Sequence, residues 1–224
     1  MQYAFSLTPK VLGDVEITLS SARLNRFIVP PNADKNLALR MSIWNMRLCE
    51  AFYLPIQLTE VAFRNAVMIP VVRKYGSAWF EKKSFESFLP QRRKEELSRL
   101  VDRERDIRGP AFTANHVVAG LSFGFWHNLT HENYKNYLWA NGLRNSFPNL
   151  PRTMELEDVY NIADRFRKFR NKIAHHYAIF DRSPVSEYQN MLKLLGLVCK
   201  DTEWLCKELN AVSRVINQRP KLLP

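Results

Sequence analysis

The chain has 224 residues, 46% hydrophobic and 12% aromatic, with a formal net charge of +11. That is enough for one large domain or two small ones around a real core, and the positive balance suits nucleic acid or another anionic surface. Seven glycines argue against a loop-rich β fold. Three cysteines, Cys49, Cys199 and Cys206, lack metal-ligand spacing and are odd in number, so they read as reduced core thiols of a cytoplasmic protein. Met1 to Lys10 has no basic segment leading into an apolar run, so no secretory signal is expected. No stretch reaches the roughly 18 apolar residues of a membrane span.

Residues 1–34 read as an N-terminal arm closed by the breaker Pro30-Pro31-Asn32-Ala33-Asp34, whose Asp34 is able to cap the next helix. From Lys35 to Tyr53, Leu37, Met41, Trp44, Leu48 and Phe52 recur at three and four residues, a helical stripe. Pro55 is expected to interrupt it and open a second helix, which ends near Gly76. Pro70 predicts a kink or an early end there. Residues 77–90 read as a connection anchored by Trp79, Phe80, Phe85 and Phe88. A charged helix from about Gln91 to Ile107 follows. Its arginines are interleaved with acids, which reads as a solvated face of paired charges, or else as a direct RNA contact.

Gly109-Pro110 ends that helix. Thr113 to His131 predicts a central core helix, with Val117, Leu121, Phe125 and Leu129 on one face. His127 and His131 could share a face and bind a metal, but no carboxylate or cysteine converges on them, so capping and hydrogen bonding are the favoured roles. A short helical piece spans Tyr134 to Leu138. Residues 140–153 read as a loop able to approach RNA through Arg144 and Arg152. Thr153 can cap a helix from about Glu155 to Ala178, within a motif segment 155–180. A last helix is expected from about Pro184 to Ile216, and the tail, 217–224, reads as disordered. No alternating strand pattern appears, so the chain is predicted to be all-α.

The densest chemistry lies in Arg170-Asn171-Lys172-Ile173-Ala174-His175-His176. Arginine can hold a phosphate, and histidine can move a proton near neutral pH. On this helix Asn171 lies about 100° and His175 about 140° from Arg170, with Arg167 near 60°. Arg167, Arg170, Asn171 and His175 then share a polar face edged by Tyr177. His176 points elsewhere and suits packing or orienting its neighbours. The plain alternative is a solvated basic helix face. Arg170 and His175 are too far apart on one helix to grip a single phosphate, but a two-fold dimer would bring the Arg of one copy near the His of the other.

Arg170-Asn171-Lys172-Ile173-Ala174-His175 resembles the R-x4-6-H signature of the HEPN superfamily, and the flanking residues resemble its Abi-like (abortive infection) branch. Three further segments are similar to that branch: Ser21-Ala22-Arg23-Leu24; Leu58 through Asn65 on to Tyr75-Gly76 and Trp79; and Leu121 through Trp126 with Tyr137-Leu138-Trp139. The resemblance implies a HEPN-like helical bundle with additional N-terminal helices, acting as a homodimer with a composite site. It implies metal-independent cleavage of RNA, tRNA or mRNA, without a cofactor, by attack of a 2′-hydroxyl to leave a 2′,3′-cyclic phosphate. His175 would be the general acid or base, Arg170 would hold the phosphate, and Asn171 would orient His175 or the phosphate. Arg167, Arg64 and Lys172 would contact RNA, with His176, Tyr177 and Glu60 in support. Glu60 and Arg64, one turn apart, would form a structural ion pair or an RNA contact. Tyr177 completes R-x4-H-x-Y, which in some HEPN toxins is modified by an antitoxin protein. The implied role is a toxin in phage defence or a toxin–antitoxin module. The alternative is a non-catalytic HEPN module that binds RNA or a partner protein.

Overall fold

The computed structural model describes residues 7–28 and 34–220, which are predominantly helical and contain no strand. The α-helices are α1 (Pro9–Leu19), α2 (Ser21–Asn25), α3 (Lys35–Tyr75), α4 (Lys83–Glu86), α5 (Gln91–Arg108), α6 (Ala114–Gly120), α7 (Phe123–Asn128), α8 (Leu156–Ala174), α9 (Pro184–Val198), α10 (Lys200–Leu209) and α11 (Val212–Ile216). Among the described residues, no helix is long and apolar enough to cross a membrane.

The spine is α3, 41 residues long and so about 60 Å from end to end. The expected break at Pro55 does not occur, and the helix also runs through Pro70. A proline inside a helix costs roughly 3 kcal/mol. Against that, Leu48, Phe52, Phe63, Val67 and Val71 are wholly buried along one stripe, each contributing about 1.5–3 kcal/mol. Both prolines lie on that buried stripe, so core burial outweighs the local preference. Asp34 caps the start, its side chain accepting from the Asn36 N–H at 2.8 Å, and Gly76, at φ 83°, ends the helix. Residues 30–33 of the breaker and residues 1–6 of the arm lie outside the described residues.

Helix α3 packs on α9, α7 and α11, and α8 lies against α9 and α7. Aromatic rings knit the layers: Phe52 meets Phe169 at 4.9 Å, Phe63 meets Phe123 at 5.1 Å, and Phe123 meets Phe166 at 4.9 Å. The single core helix expected over 113–131 is instead two helices. Its apolar positions Val117, Leu121, Phe125 and Leu129 are buried as expected, but the chain turns at Leu121-Ser122. There the Ser122 N–H and hydroxyl both donate to Glu96 of α5, while the hydroxyl accepts from the Phe125 N–H. The turn follows a close approach: a Cβ on Gly120 would meet Leu100 at 2.6 Å.

Other boundaries also shift. Residues 135–143 form a π-helix and 144–146 a short 3-10 turn, so the loop expected over 140–153 starts late. Arg144 braces that loop, donating to the Met154 carbonyl at 2.8 Å and lying over Trp139, rather than standing free for RNA. Glu155, not Thr153, is the N-cap of α8, in a capping box with Asp158. The expected last helix is three, broken at Cys199 and Asn210. The tail is placed through residue 220: Arg219 lies over the rings of Trp44 and Phe180, 5.6 and 6.0 Å from their centroids. Residues 221–224 lie outside the described residues. In the arm, α1 buries no residue, whereas Leu24 and Phe27 are buried and Phe27 meets Phe180 at 5.3 Å.

Candidate functional site

Helix α8 sets the geometry. Leu156, Val159, Ala163, Phe166 and Phe169 face the core, which turns Arg167 and Arg170 outward on the polar side. The helix ends at Ala174, four residues before the expected end. His175 is the C-cap, its N–H bonded to the Asn171 carbonyl at 3.0 Å. His176 is left-handed, at φ 59°. The His176 N–H donates to the Ile173 carbonyl at 3.0 Å, and the Tyr177 N–H donates to the Lys172 carbonyl at 2.9 Å. This pair of bonds is a Schellman motif with histidine where glycine is usual. The angular positions expected for His176 and Tyr177 on a continuing helix therefore do not hold, whereas His175, bonded to Asn171 as in the helix, keeps its place. His176 is exposed and does not pack; its carbonyl accepts from Arg23 at 2.8 Å.

Arg170 is tied to Glu60 of α3, with Nε and Nη2 donating to the two carboxylate oxygens at 3.1 and 3.5 Å, and its Nη1 reaches the Asn171 side-chain oxygen at 3.4 Å. Glu60 thus pairs with Arg170 and not with Arg64. Arg64 lines the same hollow, donates to the Ala119 carbonyl at 3.4 Å, and has its Nε buried without a partner. This hollow, between α3 and α8, has a volume of about 310 Å³ and is walled by Tyr53, Ile56, Val61 and Ile173.

His175 belongs to a different, larger cavity of about 570 Å³ between the arm, the N-terminal half of α3 and the end of α8. Ile173 lines both. The larger cavity is lined by His175, His176 and Tyr177, and also by Arg23 and Arg26 of the arm, which sequence reasoning did not single out as site residues. The one sequence signal for Arg23 was the block Ser21-Ala22-Arg23-Leu24, and Arg26 had none. Burial pushes the Cys49 thiol on the cavity wall up to about 11, which keeps it neutral.

The remaining site residues are spread along α8. Arg167 is engaged by Asp164, donating to one oxygen at 3.0 and 2.6 Å. Burial pushes the Asp164 carboxyl up, but hydrogen bonds from Lys168 and Arg167 outweigh it and hold the group below the usual carboxylate range. Lys172 lies over the Tyr177 ring at 5.9 Å, and Tyr177 is 61% exposed. His127 is buried, stacked on Tyr160 at 4.2 Å, with Nε2 at 3.2 Å from the Tyr160 carbonyl; burial pushes it down to about 4. His131 caps the turn at Asn133. Among the described residues, no group of three His, Cys, Asp or Glu side chains is placed to hold a metal ion. On α5, Arg93, Arg103 and Arg108 pair with Glu96 or Glu104, the paired-charge reading of that helix.

No protein-family model, curated protein or solved structure matches this chain.

Proposed function

We propose that this protein is a metal-independent endoribonuclease of the HEPN type, a cytoplasmic toxin of phage defence or of a toxin–antitoxin module. The observation that carries the reading is the exposed His175 at the end of α8, at a cavity rimmed by Arg23 and Arg26, with Arg170 in the adjoining hollow of the same helix. The net charge of +11 suits an RNA substrate. In the reaction, the 2′-oxygen loses its proton as it bonds to phosphorus. The bond from phosphorus to the 5′-oxygen breaks, and that oxygen takes up a proton. His175 serves one of these transfers, and Arg170 stabilises the charge that grows on the phosphoryl oxygens.

Because Arg170 and His175 line separate hollows of one chain, a site that uses both on one phosphate is composite, pairing the Arg170 of one copy with the His175 of another. Asn171, bonded to Arg170, orients the guanidinium. Tyr177 is accessible to an antitoxin that modifies it. One observation favours the second reading, a non-catalytic RNA- or protein-binding module: Glu60 already occupies two of the donor nitrogens of Arg170.

The test is cleavage of labelled tRNA and mRNA in EDTA by wild type and His175→Ala. Wild type is expected to leave cyclic-phosphate ends, and the variant, with an unchanged melting temperature, is expected not to cut. Equal loss of stability and activity would make His175 structural, and no cutting by folded wild type would favour the binding module.

A further inference from the structure

We propose that the cavity beside His175 is a nucleobase pocket, which takes one unpaired base of the RNA next to the phosphate that is cut. The proposal deepens the ribonuclease reading and rests on it for the polyanion that carries the base.

The volume, about 570 Å³, falls within the roughly 300–1,000 Å³ of small-ligand sites. Its wall is apolar where Phe27, Met46, Cys49 and Ile173 line it, a surface for a flat ring and not for a bare phosphate. Asn45, 6% exposed, supplies polarity on the same wall. Its side-chain oxygen is committed to the Ile179 N–H at 2.8 Å. Among the described residues, its amide nitrogen meets the Cys49 sulfur alone, at 3.9 Å. Sulfur is a weak acceptor, so this amide keeps donor capacity for an acceptor on a base edge.

The charges lie on the arm. Arg23 and Arg26 line the cavity from exposed positions, Arg23 held by the His176 carbonyl and Arg26 by Asp181 at 3.4 Å. An uncharged apolar ligand would not use these cations, and a simple anion would not use the apolar wall; a nucleotide uses both. A base seated against that wall brings its own phosphates toward the arginines and His175. A base stacked and paired in a duplex cannot enter, whereas one in a loop or single strand pays little to unstack. The inferred substrate is therefore RNA cut beside an unpaired base.

The test uses the full chain labelled with 13C at the methyls of its six methionines. The Met46 signal is assigned with Met46→Leu. Each of the four nucleoside 3′-monophosphates is titrated in turn, with ribose 5-phosphate as the probe that lacks a base. At least one nucleotide is expected to shift the Met46 methyl, and ribose 5-phosphate is not. Met46→Trp, which fills the mouth, is expected to weaken that nucleotide about tenfold, equivalent to about 1.4 kcal/mol. A Met46 signal indifferent to all four nucleotides, or moved equally by ribose 5-phosphate, overturns the proposal. If wild type cuts RNA while Met46 stays silent, the pocket fails and the ribonuclease reading stands. If nucleotides shift Met46 but wild type cuts no RNA, the pocket stands and the ribonuclease reading fails.

Discussion

Replacing His176 with glycine should stabilise this protein, although the substitution deletes a whole side chain from the motif. His176 is the left-handed residue that closes α8, at φ 59°. A left-handed conformation costs a residue with a Cβ roughly 1–2 kcal/mol, and glycine is free of that cost. Glycine brings its own, a more mobile unfolded chain worth about 0.5–1 kcal/mol. The imidazole is exposed, and the bonds that close the turn, as well as the one from Arg23, all go to backbone atoms, so glycine keeps them. The net expectation is a gain of about 0.5–1 kcal/mol, or roughly 1–4 °C in melting temperature for a chain of this size. His176→Ala keeps the Cβ and should stay within about 0.5 kcal/mol of wild type. The assay is urea unfolding followed by circular dichroism at 222 nm, with a thermal melt alongside. A glycine variant less stable than wild type, or indistinguishable from the alanine variant, would refute the left-handed closure as the source of strain.

Three further outcomes follow from the same geometry. A double-mutant cycle over Glu60→Gln and Arg170→Gln should give a coupling of about 0.5–1 kcal/mol, since the side chains are only 24% and 35% exposed; a coupling near zero would make the pair incidental. Buried His127, pushed down to about 4 from 6.5 in the unfolded chain, stays neutral while the unfolded state takes up a proton. Stability is therefore lost as pH falls from 6.5 toward 4, by up to about 3 kcal/mol. The stability gap between wild type and His127→Gln should narrow by that order between pH 7.5 and 4.5 in urea melts, and a constant gap would contradict it. Ser122→Ala removes the cap of α7 and a bond to Glu96; a loss of about 1 kcal/mol is expected, and an unchanged midpoint would show that the turn between α6 and α7 does not depend on them.

Much of the fold is local, and so was legible in the residues. Asp34, Gly76 and Gly109 act within a few positions, and the ends of α3 and α5 lie where those residues predict. The stripe through Leu48 and Phe52 is a property of periodicity, and it is buried. His127 and His131 hydrogen-bond and cap, the roles the sequence favoured for them. Arg170, Asn171 and His175 could be singled out because their chemistry is carried by residue type. The identity of the RNA-cutting function is a proposal built on that chemistry.

What the sequence determined alone is the all-α class, the apolar stripes and the cluster of an arginine, an amide and two histidines near the end of α8. Tertiary structure decided the rest, because the deciding partners are distant in sequence. Pro55 does not break α3, since the core it faces repays the missing bond. Glu60 had Arg64 one turn away, yet it pairs with Arg170, 110 positions on, because α3 and α8 lie side by side. Glu96 of α5 meets the turn that splits α6 from α7. The left-handed closure at His176, without a glycine to announce it, ends α8 early and takes His176 and Tyr177 off the helical face. A helical wheel assumes one continuous helix; where the backbone turns, angular position along the sequence no longer measures distance in space.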